Sequence, residues 1–112
     1  MSIVYQVQQS GMFVKSIGQF VPFDTSQAEA FGEIKVMLPS SRNQFDLSDE
    51  FICQTLVMEL EDFTEEDYLL LMGTPRAMAA AAAIAADNTD GMVQVLNWDK
   101  HTKRYVVSVL EV

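Results

Sequence analysis

Residues 68–98, YLLLMGTPRAMAAAAAIAADNTDGMVQVLNW, decide the fold, because they join two apolar runs through a glycine turn and an alanine tract. The first run, which ends at Gly73, has the length and the continuous apolar character of a strand buried on both faces. Thr74 stands at a helix N-cap position, and Pro75 takes the first helical position, where its missing amide costs nothing. The stretch therefore predicts strand, helix and strand, with the helix reaching about Ala86.

The segments before this stretch extend the pattern. Residues 33–38, EIKVML, alternate in polarity and stop at Pro39, which predicts a strand. Residues 48–60, SDEFICQTLVMEL, favour a helix that Ser48 caps, with acidic residues in the first turn, where the helix dipole favours negative charge. A strand over residues 51–60 is the alternative.

The last two apolar segments, MVQVLNW and RYVVSVLEV, predict strands that pair as an antiparallel hairpin around the polar DKHTK. The order from residue 33 is then strand, helix, strand, helix, strand, strand. Right-handed crossovers make the first three strands parallel and put the last one antiparallel at one side. We predict a single α/β domain over residues 1–112, with its core in residues 33–112.

The first 32 residues have a weaker pattern. Residues 3–7, IVYQV, are rich in β-forming side chains and predict a first strand, and residues 12–23, MFVKSIGQFVPF, predict a second strand broken at Gly18. Residues 24–32 predict a loop or a single turn. We expect this N-terminal extension to add a β element or to cover an edge of the sheet.

The composition limits the chemistry. The chain has one cysteine and one histidine, so an internal disulfide is excluded, and a Cys-His or Ser-His-Asp site would have to use His101 among basic neighbours. The apolar surroundings of Cys53 predict a buried side chain. A metal site would have to consist of carboxylates alone. We therefore predict no enzymatic activity, no cofactor and no metal site.

The charge favours a basic partner. The net charge is −9 at pH 7 and the pI is about 4.3, whereas a broad nucleic-acid surface needs clustered lysine and arginine. The turn NWDKHTKRY, residues 97–105, places its basic residues between Trp98 and Tyr105 and is a further candidate for single-stranded nucleic acid, whose alternative is an ordinary polar turn. With no apolar run of the roughly 18–20 residues that a membrane span needs and no leader at its start, the sequence predicts an intracellular protein without a membrane segment.

The run DFTEEDYLLLMGTPRAMAAAAAIAA, followed by VQVLNWDKHTKRYV, resembles a family of small proteins of unassigned function encoded by tailed bacteriophages. The resemblance covers about the second half of the chain and the EIKVMLPSS strand. The family usually has an acidic residue after the glycine, where this chain has Thr74, and both residue types cap helices. The resemblance implies a phage origin and a compact α/β fold, and it supplies no catalytic residue.

A first candidate site lies where two predicted strands end. If the strands that end at Leu38 and Gly73 are parallel neighbours, PSSR and GTPR meet at the edge where open α/β sheets bind ligands. A helix N-terminus and two arginines would attract an anion there. The anion-binding candidates are Ser40, Ser41, Arg42, Thr74 and Arg76. The alternative is an ordinary strand-to-helix joint, since the turn has one glycine and no lysine.

A second candidate site is the acidic stretch, residues 59–67, ELEDFTEED. Six carboxylates in nine residues repel one another and favour a basic partner, while their spacing does not match an EF-hand loop. The partner-binding candidates are Glu59, Glu61, Asp62, Glu65, Glu66 and Asp67. The alternative is a solvated connection between helix and strand.

These patterns lead to one preferred function and two alternatives. The preferred function is a non-catalytic phage accessory or host-takeover protein in the host cytoplasm, which binds a basic host or phage protein through its acidic surface. The first alternative is a binder of a nucleotide or phosphate at the carboxyl edge of the sheet. The second is a structural component of the virion, in which the edge of the last strand, Tyr105 to Val112, pairs with another copy.

Overall fold

The computed structural model describes residues 1–43 and 45–112. Its helices are α1 (Asp49–Glu59), α2 (Pro75–Asn88) and a 3₁₀ helix (Ser26–Phe31). No helix in the described part of the chain is long and apolar enough to cross a membrane. The strands are β1 (Ile3–Gln8), β2 (Gly11–Val14), β3 (Gln19–Pro22), β4 (Glu33–Leu38), β5 (Tyr68–Leu70), β6 (Met92–Asp99) and β7 (Arg104–Glu111).

The main sheet confirms the predicted α/β class. Its five strands lie in the order β4-β1-β5-β6-β7. The first four are parallel, and β7 pairs antiparallel with β6 over its whole length, from Asp99 opposite Arg104 to Met92 opposite Glu111. The strand-helix-strand-helix-strand-strand order from residue 33 and the C-terminal hairpin are therefore as predicted.

The position of the N-terminal strand differs from the prediction. The predicted β element is present, but β1 lies in the middle of the sheet, with Tyr5 opposite Lys35 of β4 and Leu69 of β5. The strands that end at Leu38 and Gly73 are consequently not neighbours. Glutamines alternate with apolar residues along β1, which is typical of a half-exposed strand. Gln8 is nevertheless only 2% exposed, and hydrogen bonds inside the protein satisfy its buried amide.

Helices α1 and α2 cover one face of the sheet. Their buried residues pack on alternate residues of the strands, including Tyr5, Val7 and Val95. The 3₁₀ helix covers the other face, where Ala28 packs with apolar residues from the remaining strand positions. Since β5 contributes Leu69 to one face and Leu70 to the other, it is buried on both faces, as its continuous apolar sequence predicts.

Both helix N-termini confirm their predicted caps. The Ser48 side chain accepts a hydrogen bond from the Phe51 amide at 3.1 Å, and the Thr74 hydroxyl accepts one from the Ala77 amide at 3.4 Å. Pro75 takes the first helical position. Helix α2 ends at Asn88, slightly beyond the predicted Ala86.

The prediction for Cys53 is wrong, because its side chain is exposed. Ile52 and Leu56 are the buried residues of α1. Successive helical residues are rotated by about 100°, so the residue after Ile52 turns away from the sheet even though its sequence neighbours are apolar.

Residues 12–23 form a hairpin instead of one broken strand. Strands β2 and β3 pair antiparallel in a separate two-stranded sheet, with Met12 opposite Val21 and Phe13 opposite Phe20. Gly18 has φ +64° in the turn between them, where a left-handed residue reverses the chain. We call this hairpin, residues 11–22, the arm. Residues 24–32, predicted as a loop or a turn, contain the 3₁₀ helix.

Helix α2 packs on the sheet through alanines. Ala77, Ala81 and Ala85 recur every four residues and are fully buried. Replacing Ala81 by leucine forces extra volume into this contact, and we expect the free energy of unfolding to fall by about 1–3 kcal/mol in urea titrations. The same change at the exposed Ala79 is the control and should stay within about 0.5 kcal/mol of the unmutated protein. Equal losses in the two variants would contradict this packing.

Candidate functional site

A crevice of about 290 Å³ lies at the carboxyl edge of the main sheet. The chain leaves β1 toward the face covered by the 3₁₀ helix, and it leaves β5 into α2 on the opposite face. Such a switch between neighbouring strands is where open α/β sheets bind ligands. The crevice is lined by Gln8, Gln9, Ser10, Gly11, Phe20, Ser40, Ser41, Gly73, Thr74 and Pro75.

The side-chain amide of Gln8, at the end of β1, is hydrogen-bonded to the segments that follow β4 and β5 at this crevice. Its Nε2 donates to the carbonyl oxygen of Pro39 at 3.0 Å and to the Ser41 hydroxyl at 3.2 Å, after β4. Its Oε1 accepts from the backbone amide of Thr74 at 2.9 Å, after β5. These contacts use both ends of a buried amide, so they stabilise the edge without leaving a polar atom unsatisfied.

Gly73 makes room for this amide. Its φ is +120°, and a Cβ atom there would overlap the Oε1 and Cβ atoms of Gln8. The single glycine of the turn is therefore explained by the close approach of Gln8 and by the backbone conformation. A bound phosphate is not needed to account for it.

The two predicted arginines do not line the crevice. The guanidinium of Arg42 lies 4.9 Å from the centre of the Phe13 ring on the arm. Arg76 lies 5.3 Å from the Phe45 ring, forms an ion pair with Asp49 and donates to the Leu47 carbonyl at 3.1 Å. The described lining includes Ser40, Ser41 and Thr74 from the predicted anion-binding set and contains no charged side chain.

The acidic stretch divides into structural and exposed carboxylates. Asp67 is 5% exposed and accepts three hydrogen bonds, from the Ile3 amide at 2.9 Å and from the amide and hydroxyl of Thr64 at 2.9 and 3.1 Å. The hydrogen bond from Ile3 therefore holds the start of β1 beside the start of β5. Glu59 forms an ion pair with Lys35 at 3.1 Å. The remaining predicted residues, Glu61, Asp62, Glu65 and Glu66, are exposed.

A local sequence signal separates Asp67 from its neighbours. Thr64 precedes it by three residues, and its amide and hydroxyl both reach the same carboxylate oxygen. A threonine and an aspartate at this spacing often form a side-chain-to-backbone turn. The charge pattern alone does not distinguish the buried Asp67 from the exposed carboxylates around it.

Sequence reasoning missed the surface of the arm. Met12 and Val21 are exposed on one face, Phe13 and Phe20 are exposed on the other, and Ile17 is exposed in the turn. Lys15 is the only charged residue of the arm. A signal was present, because strands that carry apolar residues at successive positions have no polar face to turn toward water.

A second cavity, the aromatic cleft, has a volume of about 470 Å³ and lies on the sheet face that the 3₁₀ helix covers. The Trp98 and Tyr105 rings meet edge to face, with their centres 5.0 Å apart. Burial, and then the Asp24 carboxylate, raise the pKa of Tyr105 above its usual value. The cleft is lined by Phe23, Asp24, Leu70, Leu71, Met72, Leu96, Asn97, Trp98 and Tyr105.

Residues 1–43 and 45–112 contain no group of three or more side chains placed to hold a metal ion. A family model described as Phage Pam3 gp32-like protein matches residues 2–112, which is nearly the whole chain. No curated protein and no solved structure matches the chain.

The role of Gly73 can be tested by stability. In Gly73→Ala, the added Cβ meets Gln8 and takes an unfavourable backbone conformation, so we expect a loss of about 2–4 kcal/mol in the free energy of unfolding. Gly18→Ala is the control, since its φ is also positive but nothing lies within 4 Å of the new atom. It should lose only about 1–2 kcal/mol. Equal losses would show that the contact with Gln8 adds nothing to the backbone effect.

Proposed function

The chain belongs to the Phage Pam3 gp32-like protein family, whose members are phage-encoded proteins of unassigned function. From this premise we propose that it is a non-catalytic accessory protein that acts by binding another protein. The observation that supports this proposal is the arm, an apolar hairpin that projects from the carboxyl edge of an acidic domain. Its location in the cell is proposed to be the host cytoplasm.

The arm exposes more apolar surface than folding of this chain requires. Five of its side chains, Met12, Phe13, Ile17, Phe20 and Val21, are each more than 40% exposed. Side chains of this size and exposure present on the order of 400–500 Å² in total over the two faces and the turn of the arm, and exposed apolar area of this extent on a monomer is often functional. Covering this surface with a partner removes it from water and favours association.

The acidic stretch supplies the second contact of the proposal. Glu61, Asp62, Glu65 and Glu66 lie between α1 and β5, at the amino edge of the sheet, whereas the arm lies at the carboxyl edge. A basic partner that meets both contacts would be oriented by charge and held by apolar burial. The charge contribution is screened by salt, and the apolar contribution is not.

A non-catalytic role is supported by the chemistry of the crevice. The residues that line it in the described part of the chain offer serine and threonine hydroxyls and glutamine amides, without a histidine or a carboxylate to accept a proton. Hydroxyl groups are weak nucleophiles unless a neighbouring base activates them.

Two alternatives rest on separate observations. A binder of an anionic small molecule is favoured by the position of the crevice, although its described lining carries no positive side chain. A virion component is favoured by β7, which is the last strand of the sheet and exposes Val106, Val109 and Leu110. Its outer edge would pair with a second copy.

The proposal is tested by affinity capture from infected-cell lysate, at low and high salt, with mass spectrometry. We expect the unmutated protein to retain one dominant basic protein at low salt and much less of it at high salt. The double change Met12→Ser and Val21→Ser should abolish capture, because it removes the apolar pair on one face of the arm.

The matched control changes an exposed apolar pair on α1, with Val57→Ser and Met58→Ser. It should capture the same protein as the unmutated chain. Equal capture by the arm variant and the control would refute the proposal. Recovery of only virion proteins would favour the structural role, and an empty capture combined with saturable heat on phosphate titration would favour the anion binder.

A further inference from the structure

We propose that the aromatic cleft binds one cationic side chain, an arginine or a lysine, presented by the protein partner. The inference rests on the proposed function, since it assigns to the basic partner a specific contact beyond general charge attraction. It concerns a site separate from both the arm and the acidic stretch.

The shape of the cleft fits a long side chain. Leu70 and Leu96 are each 2% exposed and form an apolar floor, while Phe23, Trp98 and Tyr105 stand around it. A volume of about 470 Å³ lies within the range of small-ligand sites and exceeds what one arginine side chain fills. The methylene groups of such a side chain would contact the apolar residues, as long basic side chains do on apolar surfaces.

The walls of the cleft favour a cation. Trp98 is 44% exposed although it packs against the buried Tyr105, so a large part of the indole remains available to a partner. Tryptophan is the aromatic side chain that attracts ammonium and guanidinium groups most strongly. Phe23 is also exposed and adds a second aromatic surface at the same cleft.

The charge at the cleft is negative. Asp24 is the only charged residue among those that line it in the described part of the chain. Its Oδ1 accepts a hydrogen bond from the Ser26 amide at 2.9 Å, which fixes the direction of the carboxylate. Hydrogen bonds from the Ser26 hydroxyl and amide lower the pKa of Asp24, so the carboxylate is charged at neutral pH.

The basic residues of the hairpin turn are not among the residues that line the cleft. In the β6–β7 ladder, Trp98 lies opposite Tyr105, and Asp99 lies opposite Arg104. Because successive residues of a strand point to opposite faces, Asp99 and Arg104 are directed away from the face that carries the cleft.

The test uses Trp98, the only tryptophan of the chain, as its own reporter. N-acetylated triarginine amide is titrated into the full-length protein while the indole fluorescence and the indole N–H resonance are recorded. We expect a saturable change in both signals. N-acetylated tricitrulline amide, compared with N-acetylated triarginine amide, has nearly the same shape without the side-chain charges and should produce no saturable change.

Asp24→Asn removes the charge and retains an oxygen that accepts the hydrogen bond from Ser26. We expect this variant to bind triarginine amide at least about fivefold more weakly than the unmutated protein. Glu29→Gln is the control, because it removes one exposed carboxylate from the neighbouring 3₁₀ helix and leaves the cleft lining intact. Its affinity should fall by less than about twofold, as expected for an exposed, screened charge that does not line the cleft.

Three results with the peptides and the variants would overturn the proposal. These are the absence of a saturable change with triarginine amide, equal responses to the arginine and citrulline peptides, and equal losses in Asp24→Asn and Glu29→Gln. A saturable response to oligothymidylate that exceeds the response to triarginine would also overturn it and would point to base stacking. Since the titration contains no partner protein, its failure leaves the capture experiment on the arm unaffected.

Discussion

The buried amide of Gln8 is the interaction on which the rest of the structure depends. It joins the ends of β1, β4 and β5 by hydrogen bonds to Pro39, Ser41 and Thr74. Leaving such a group buried without partners would cost about 1–3 kcal/mol, so the turns after β4 and β5 must keep their positions relative to β1. Asp67 fixes the other end of β1 in the same way.

The surfaces that we assign to partner binding follow from this constraint. Three residues after Gln8 the chain enters the arm, whose base is closed by a hydrogen bond from the Phe23 amide to the Ser10 carbonyl at 2.9 Å. Phe23 and Asp24 come directly after the arm and line the aromatic cleft. A partner bound to the arm would therefore lie close to the cleft. At the opposite edge, Asp67 fixes the turn from Thr64 that carries Glu65 and Glu66.

The sequence predicts the parts of the fold that depend on local patterns. The continuous apolar run before Gly73, the caps at Ser48 and Thr74 and the final hairpin need only nearby residues, and they appear as expected. The central position of β1 is not predictable in this way. The alternating pattern of β1 predicts that Gln8 faces solvent. Its amide is buried because the fold brings Pro39 and Thr74, which are 31 and 66 residues away in the sequence, beside it.

The candidate sites were predictable only in part, for the same reason. Ser40, Ser41 and Thr74 line the crevice, but the two arginines contact rings of Phe13 and Phe45 that no local pattern associates with them. The aromatic cleft brings Phe23 near Trp98 and Tyr105, which face each other across the final hairpin but lie far from Phe23 in the sequence. Such a site depends on strand order, which composition and periodicity do not determine.

The central claim is that the main sheet is held together around β1, whereas the arm forms a separate two-stranded sheet, and native-state hydrogen exchange tests it most directly. The account predicts that the backbone amides of Tyr5 and Val7 exchange only through global unfolding, because β1 is buried and paired on both sides. The amides of Met12 and Val21, which form a hydrogen-bonded pair between β2 and β3, should exchange much faster, through local opening of the arm. Similar protection in β1 and the arm would contradict the account.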